Sequence, residues 1–203
     1  MTIKDRKRID DFYSQKARKE KYPARSVWKL EEFDEKYRLF KPGMRVLDLG
    51  CAPGSWTLYA AKAVGPGGLV LGLDLNPPQA AGLPKNVIFK KVDLLLAEGL
   101  EPAQEYGPFQ IILSDLAPKT SGRKEIDQAK SLELCAAAWQ WAQALSVKGA
   151  DFLLKIFQSP EGDEFLKSLN LFYEKQIRLK PKASRKASQE IFVLNRGLLN
   201  NPG

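Results

Sequence analysis

The sequence predicts an α/β fold, with one open, mostly parallel β-sheet and helices packed on both faces. Three observations carry this. Short apolar runs of strand length alternate with stretches of helical periodicity along the chain. The first run, Arg45–Leu49, passes through Gly50 and Gly54 directly into a helical stretch, the usual opening of a nucleotide-type ligand site in such a sheet. The second run, Leu69–Asp74, ends in an acid roughly 20 residues after those glycines, where a carboxylate can grip ribose hydroxyls.

Taken in order, residues 1–24 form a polar, basic arm carrying Lys4, Arg6, Lys7, Arg8, Lys16, Arg18, Lys19 and Lys21. It is expected to be partly helical and weakly packed; its first ten residues read either as a solvated tail or as a grip on phosphates. Residues 24–40 read as a helix, since Val27, Leu30, Phe33 and Tyr37 recur near helical spacing and Pro42-Gly43 stops it. Val46, Leu47 and Leu49 make the first strand, buried on both faces. Gly50 can take backbone angles that a side chain forbids. Gly54 lets a ligand or the next element come close, and Ser55 is placed to cap a helix from Trp56 to about Val64.

Gly65–Gly68 turns into the second strand, which Asn76-Pro-Pro78 ends. Val87–Phe89 is the third strand. Asp93 follows, where it either faces an adenine or opens a turn. Phe109–Asp115 is the fourth strand, and the polar loop Lys119–Lys124 is a candidate lid or substrate loop. A long helix over 126–146 buries Leu132, Cys135, Ala136, Trp139 and Ala142, with Trp139 and Trp141 assigned to packing. The fifth strand is Gly149–Phe157, a helix spans Glu161–Leu169, and the last strands are Tyr173–Leu179 and Gln189–Leu194. No repeat or internal boundary appears. The organisation is therefore a basic arm (1–24), one domain (25–197) and a short tail (198–203).

The charge balance of +8 points to an anionic partner, most simply nucleic acid. No apolar run approaches the roughly 20 residues of a membrane helix, so no membrane partner is expected. Two cysteines imply no disulfide framework and fit a reducing compartment. With no histidine, proton transfer falls to Lys, Asp, Glu, Tyr or Cys, and no metal cluster is evident.

Ligands of such sheets bind at the carboxyl ends of the strands. Asp115 ends the fourth strand there, and Lys155 lies in the C-terminal half of an otherwise apolar fifth strand, where an unpaired ammonium is costly. If the last strand runs antiparallel, Glu190 at its start joins them. Lys29 could complete a Lys-Asp-Lys-Glu group, which spacing alone does not establish.

Several stretches together resemble the FtsJ-type ribosomal RNA 2′-O-methyltransferases. They are Arg25-Ser-Val-Trp-Lys29-Leu30, Asp48-Leu-Gly-Cys-Ala-Pro-Gly-Ser-Trp56, Ser114-Asp115-Leu-Ala-Pro118 with Ser121-Gly122, Leu154-Lys155-Ile-Phe-Gln158 and Ser188-Gln-Glu190-Ile-Phe192. The resemblance runs from about residue 8 to 197, in the family's order and at similar gaps. It implies a single-domain, Rossmann-like class I methyltransferase with a seven-stranded sheet and an antiparallel last strand. It implies S-adenosylmethionine as methyl donor, and 23S rRNA of the large ribosomal subunit, at a uridine, as substrate. It further implies a cytoplasmic monomer that does not act on DNA. By position, Lys29, Asp115, Lys155 and Glu190 match the family's catalytic tetrad, with Lys155 as proton acceptor. Gly50, Pro53, Gly54, Trp56, Asp74, Asp93 and Asp115 match donor-binding positions. Ser55 departs from a common second glycine, and the loop Leu75–Pro84 departs from the family pattern, which bears on Asp93.

The chemistry agrees. A ribose hydroxyl is a poor nucleophile, so the site must align it with the donor methyl and take up its proton. A lysine serves as base when burial or a nearby cation lowers its pKa, and Lys29 beside Lys155 would be that cation, while Asp115 and Glu190 oppose it. The basic arm and Lys175–Lys186 would hold RNA phosphates, leaving the choice of RNA over DNA to the reacting hydroxyl. The competing readings are methylation of another RNA such as tRNA, a nucleotide-dependent oxidoreductase, and a non-catalytic RNA-binding protein. The missing G-x-G-x-x-G stands against the oxidoreductase, and the four filled tetrad positions stand against the non-catalytic protein.

Overall fold

The computed structural model describes residues 12–79, 82–96, 100–184 and 188–199. Seven strands form one sheet: β1 (Arg45–Leu49), β2 (Leu69–Asp74), β3 (Val87–Lys91), β4 (Phe109–Ser114), β5 (Ser146–Phe157), β6 (Tyr173–Leu179) and β7 (Glu190–Leu198). Their order is β3-β2-β1-β4-β5-β7-β6. The pairs among β1 to β5 are parallel, and β7 runs antiparallel to both β5 and β6. The expected antiparallel last strand is therefore present, inserted between β5 and β6.

The helices are α1 (residues 12–19), α2 (Val27–Tyr37), α3 (Ser55–Val64), α4 (Leu100–Gln104), α5 (Lys124–Leu145) and α6 (Pro160–Leu169). Strand side chains alternate between two core layers. Leu47, Leu71, Ile112 and Leu154 face Cys135, Ala138, Trp141, Leu166 and Leu169 of α5 and α6. Val46, Val70, Ile111, Leu153 and Phe192 face Leu30, Phe33, Trp56, Ala60 and Val64 of α2 and α3. Burial on both faces is why these strands read as unbroken apolar runs. Trp139 and Trp141 do pack: the first against Phe152, Phe172 and Tyr173, the second buried with its indole N–H donating to the Leu94 carbonyl at 3.0 Å. Ala136, expected on the buried side of α5, is only half-buried.

Three local expectations need correction. Ser55 does not cap α3. Gly54 holds the cap position at φ 109°, and the Ser55 hydroxyl instead accepts from the Ala24 amide (2.7 Å) and donates to the Ala24 carbonyl (3.1 Å). It thus ties the incoming chain to α3. The part of the basic arm from residue 12 is not weakly packed. Ala17 is buried with Val27, Trp28 and Ala183, the Trp28 indole donates to the Tyr13 carbonyl at 2.8 Å, and the Lys16 ammonium lies 3.6 Å from the centre of a Trp28 ring. β7 extends through buried Leu198, so that residue belongs to the sheet and not to the tail. The phosphate-gripping role of residues 1–11, the basic residues Arg185 and Lys186, and tail residues 200–203 lie outside the described residues.

Candidate active site

The antiparallel insertion of β7 sets Glu190, its first residue, opposite Phe157, the last residue of β5. Glu190 thereby reaches the carboxyl edge of the sheet, beside Lys155 of β5 and Asp115 just past β4. The Lys155 ammonium donates to a carboxylate oxygen of Asp115 and to the Asp115 carbonyl, both at 2.7 Å. α2 supplies the fourth group. Val27, Leu30 and Phe33 seat the helix in the core, and Lys29 on the same buried face donates to Glu190 Oε1 at 2.7 Å. Its Nζ lies 5.0 Å from the centre of the Phe192 ring. Burial alone would raise the Glu190 carboxyl, but the Lys29 ammonium, Lys155 and the Ser184 hydroxyl hold it below its ordinary range. The four sequence-predicted residues thus converge as two close ion pairs whose side chains are less than one-fifth exposed.

A crevice lies beside them. The Gly50 and Cys51 amides both donate to the Leu73 carbonyl (2.8 and 3.2 Å), clamping the turn after β1 onto the end of β2. Asp74 accepts from the Ala52 amide (3.0 Å) and the Asn76 amide (2.8 Å), one bond to each carboxylate oxygen. The Gln79 amide donates to the Pro53 carbonyl at 2.9 Å. Gly50 has φ 75°, and a Cβ there would stand 2.4 Å from Leu116 Cδ2. A Cβ on Gly54 would stand 3.0 Å from Pro78 Cβ. The turn is therefore a cradle closed to side chains, bordered by carboxylates, at the start of a helix whose first amides point outward. Gly50→Ala is expected to lower the melting temperature, because the αL backbone and Leu116 must both shift, and thermal unfolding checks it.

The model of the FtsJ-like methyltransferase family matches residues 22–198. The chain belongs to this family. Ribosomal RNA large subunit methyltransferase E of Oleidesulfovibrio alaskensis is 42% identical over 97% of this chain and 95% of its own length. The same-named protein of Coxiella burnetii (strain RSA 331) is 41% identical, with 91% and 89% covered. A solved structure described as a ribosomal RNA methyltransferase from Plasmodium falciparum superposes with a TM-score of 0.74 at 24% identity, over 88% of this chain and all of that one. At that identity the likeness speaks for the fold, which is Rossmann-like.

In this FtsJ-like methyltransferase the remaining predicted positions fall as follows. The Trp56 indole turns away from the crevice into the core, 5.8 Å between centroids from Phe192, and donates to the Ser26 carbonyl at 2.9 Å. Only its backbone is left to meet a ligand. Asp93 is half-buried past the end of β3 and accepts from the Leu95 amide at 3.0 Å, so it does open a turn. The loop before α5 is anchored: the Asp127 carboxylate accepts from the Ser121 amide and hydroxyl and from the Gly122 amide (2.7, 2.8 and 3.3 Å).

Sequence reasoning missed Asp48. It is 1% exposed and accepts from the Thr57 hydroxyl at 2.5 Å. Burial, assisted by the Asp115 and Asp74 charges, pushes its carboxyl up to about 7. The available signal was an acid inside the apolar run Val46-Leu-Asp-Leu49. A raised carboxyl favours the folded state below its unfolded value of about 4, and that advantage is lost as pH rises through about 7. Asp48→Asn removes the titration. Its stability gain over the parent is expected to grow between pH 4 and 7 toward roughly 4 kcal/mol and stay flat above, as thermal or urea unfolding across pH will show.

Proposed function

We propose that this protein transfers a methyl group from S-adenosylmethionine to a ribose 2′-hydroxyl of large-subunit ribosomal RNA, with Lys155 as proton acceptor. The observation that carries the reading is the double hold of Asp115 on Lys155. A neutral amine has two N–H groups and one lone pair. With both N–H groups engaged at 2.7 Å by Asp115, the remaining tetrahedral direction of Nζ is left for a substrate proton. Before transfer that direction holds the lone pair, and afterwards the third N–H.

When bound, the donor supplies a methyl activated by the positive sulfonium. The residues fitted to hold it are Gly50, Pro53 and Gly54 of the cradle, the Trp56 amide, Asp74 and Asp93 for its polar groups, and Asp115, which also belongs to the tetrad. Glu190 and Asp115 fix the orientation of the two amines, Lys29 and Lys155. Alignment of hydroxyl and methyl supplies much of the rate.

The names of the relatives support ribosomal RNA of the large subunit as substrate. The finer reading is a uridine of 23S rRNA, methylated by a monomer in the cytoplasm. Exposed Lys182, whose backbone amide donates to Glu32 of α2, suits RNA phosphates; Lys175 pairs in the sheet with Arg196 toward the opposite rim and does not flank the tetrad. No helix among the described residues is long and apolar enough to cross a membrane. The test is transfer of tritiated methyl to large subunits from cells lacking this protein, followed by mapping of the modified ribose. Incorporation at one nucleotide, abolished by a 2′-deoxy substitution there, is the expected result. A blank on every RNA would overturn the reading in favour of a non-catalytic RNA-binding protein.

A further inference from the structure

Asp48 has no task in the methyl-transfer reading, yet it sits under the crevice. Each neighbouring element contributes to its surroundings. From α3, Thr57 donates its hydroxyl. From the cradle comes the Cys51 thiol, which burial holds above its ordinary range and therefore neutral. β2 sets side-chain-less Gly72 opposite Asp48 and ends in Asp74. β4 sets Leu113 opposite and leads into Asp115. The nearby ammonium, Lys155, is engaged by Asp115. Among the described residues no lysine or arginine forms an ion pair with Asp48. An ionised carboxylate there is buried without a cation and between two other acids, which favours its protonated form. A cation arriving in the crevice reverses that preference.

We infer that Asp48 senses ligand charge in the donor crevice, releasing its proton to solvent to admit the cationic methyl donor and regaining one when the neutral thioether product remains. The inference rests on the donor assignment above. Methyl transfer removes the sulfonium charge while the amino-acid charges stay the same, so the carboxyl loses that one attraction in the product. The proton exchanged here is distinct from the one Lys155 accepts from the ribose. Its carboxyl, lying near neutrality, is poised for one nearby charge to change its state. Exchange of product for donor is thereby favoured, increasingly as pH rises from 6 to 8.

The experiment is titration calorimetry of the full chain with S-adenosylmethionine and with S-adenosylhomocysteine at pH 7, each in phosphate and in Tris, whose ionisation enthalpies differ. The donor is expected to release about half a proton per site and the product none. Below pH 7 donor affinity should climb with pH by up to about tenfold per unit, while product affinity stays level. Asp48→Asn, verified as folded by its melting curve, should abolish the proton release and flatten the donor-to-product ratio. Donor binding with buffer-independent heat, or proton release persisting in Asp48→Asn, would overturn the inference and leave the donor assignment standing. If neither ligand binds, the donor assignment falls and takes the inference with it. Should the variant not fold, the parent's two-buffer titration decides alone.

Discussion

Lys155→Ala is expected to lower methyl transfer by about 10³-fold or more while donor affinity changes by no more than a few-fold. The ammonium it removes makes both of its recorded bonds to Asp115, so the cradle at Gly50–Gly54 keeps its own contacts to Leu73 and Asp74. Loss of the partner leaves Asp115 partly buried and unpaired, at a cost of about 1–3 kcal/mol. Lys155→Arg separates charge from basicity. A guanidinium can restore the pairing with Asp115 but stays protonated, so stability should recover and the rate should not. Tritium transfer, donor calorimetry and thermal unfolding on the three proteins give the answer. Full activity in Lys155→Ala would remove Lys155 from the role of proton acceptor.

Glu190→Ala should destabilise the fold by about 3 kcal/mol, because it strands the Lys29 ammonium inside the protein. The double change Lys29→Met with Glu190→Leu replaces the pair by apolar groups of similar size. Stability is then expected to return to within about 1 kcal/mol of the parent or exceed it, with methyl transfer still abolished. That split would show a pair kept for chemistry rather than for folding; recovered activity in the double variant would refute it. The Glu190 carboxyl lies below its ordinary range. Its pairing therefore stabilises the fold above the unfolded value of about 4.5 and loses that effect as pH falls through the lower folded value. Acid unfolding of Glu190→Gln should accordingly be shallower than that of the parent below pH 4.5.

Much of this was legible in the chain. The apolar runs gave all seven strands, with β6 placed residue for residue at Tyr173–Leu179 and β2 at Leu69–Asp74. The motif residues identified the family. Other features escaped because local pattern does not encode them. Ser55 has the chemistry of a cap, yet its hydroxyl is spent on Ala24, 31 residues away in sequence. Trp56 stands in the glycine motif after β1, yet its ring belongs to the core beside Phe192. Lys16 is an ordinary basic residue until Trp28 and Glu31 arrive next to it.

Periodicity and residue type determined by themselves that this is a parallel α/β sheet with a glycine cradle after its first strand. Each such feature depends on neighbours a few residues apart, and the backbone repeats at those distances. Only the tertiary structure decided that Lys29 meets Glu190 across 161 positions. That meeting depends on β7 entering between β5 and β6 in reverse. Run the other way over the same span, a nine-residue strand at about 3.3 Å per residue would carry Glu190 to where Leu198 now lies, roughly 20 Å along β5 from Lys155. Long-range pairing is chosen by the burial of whole faces, a property that no single stretch of sequence possesses.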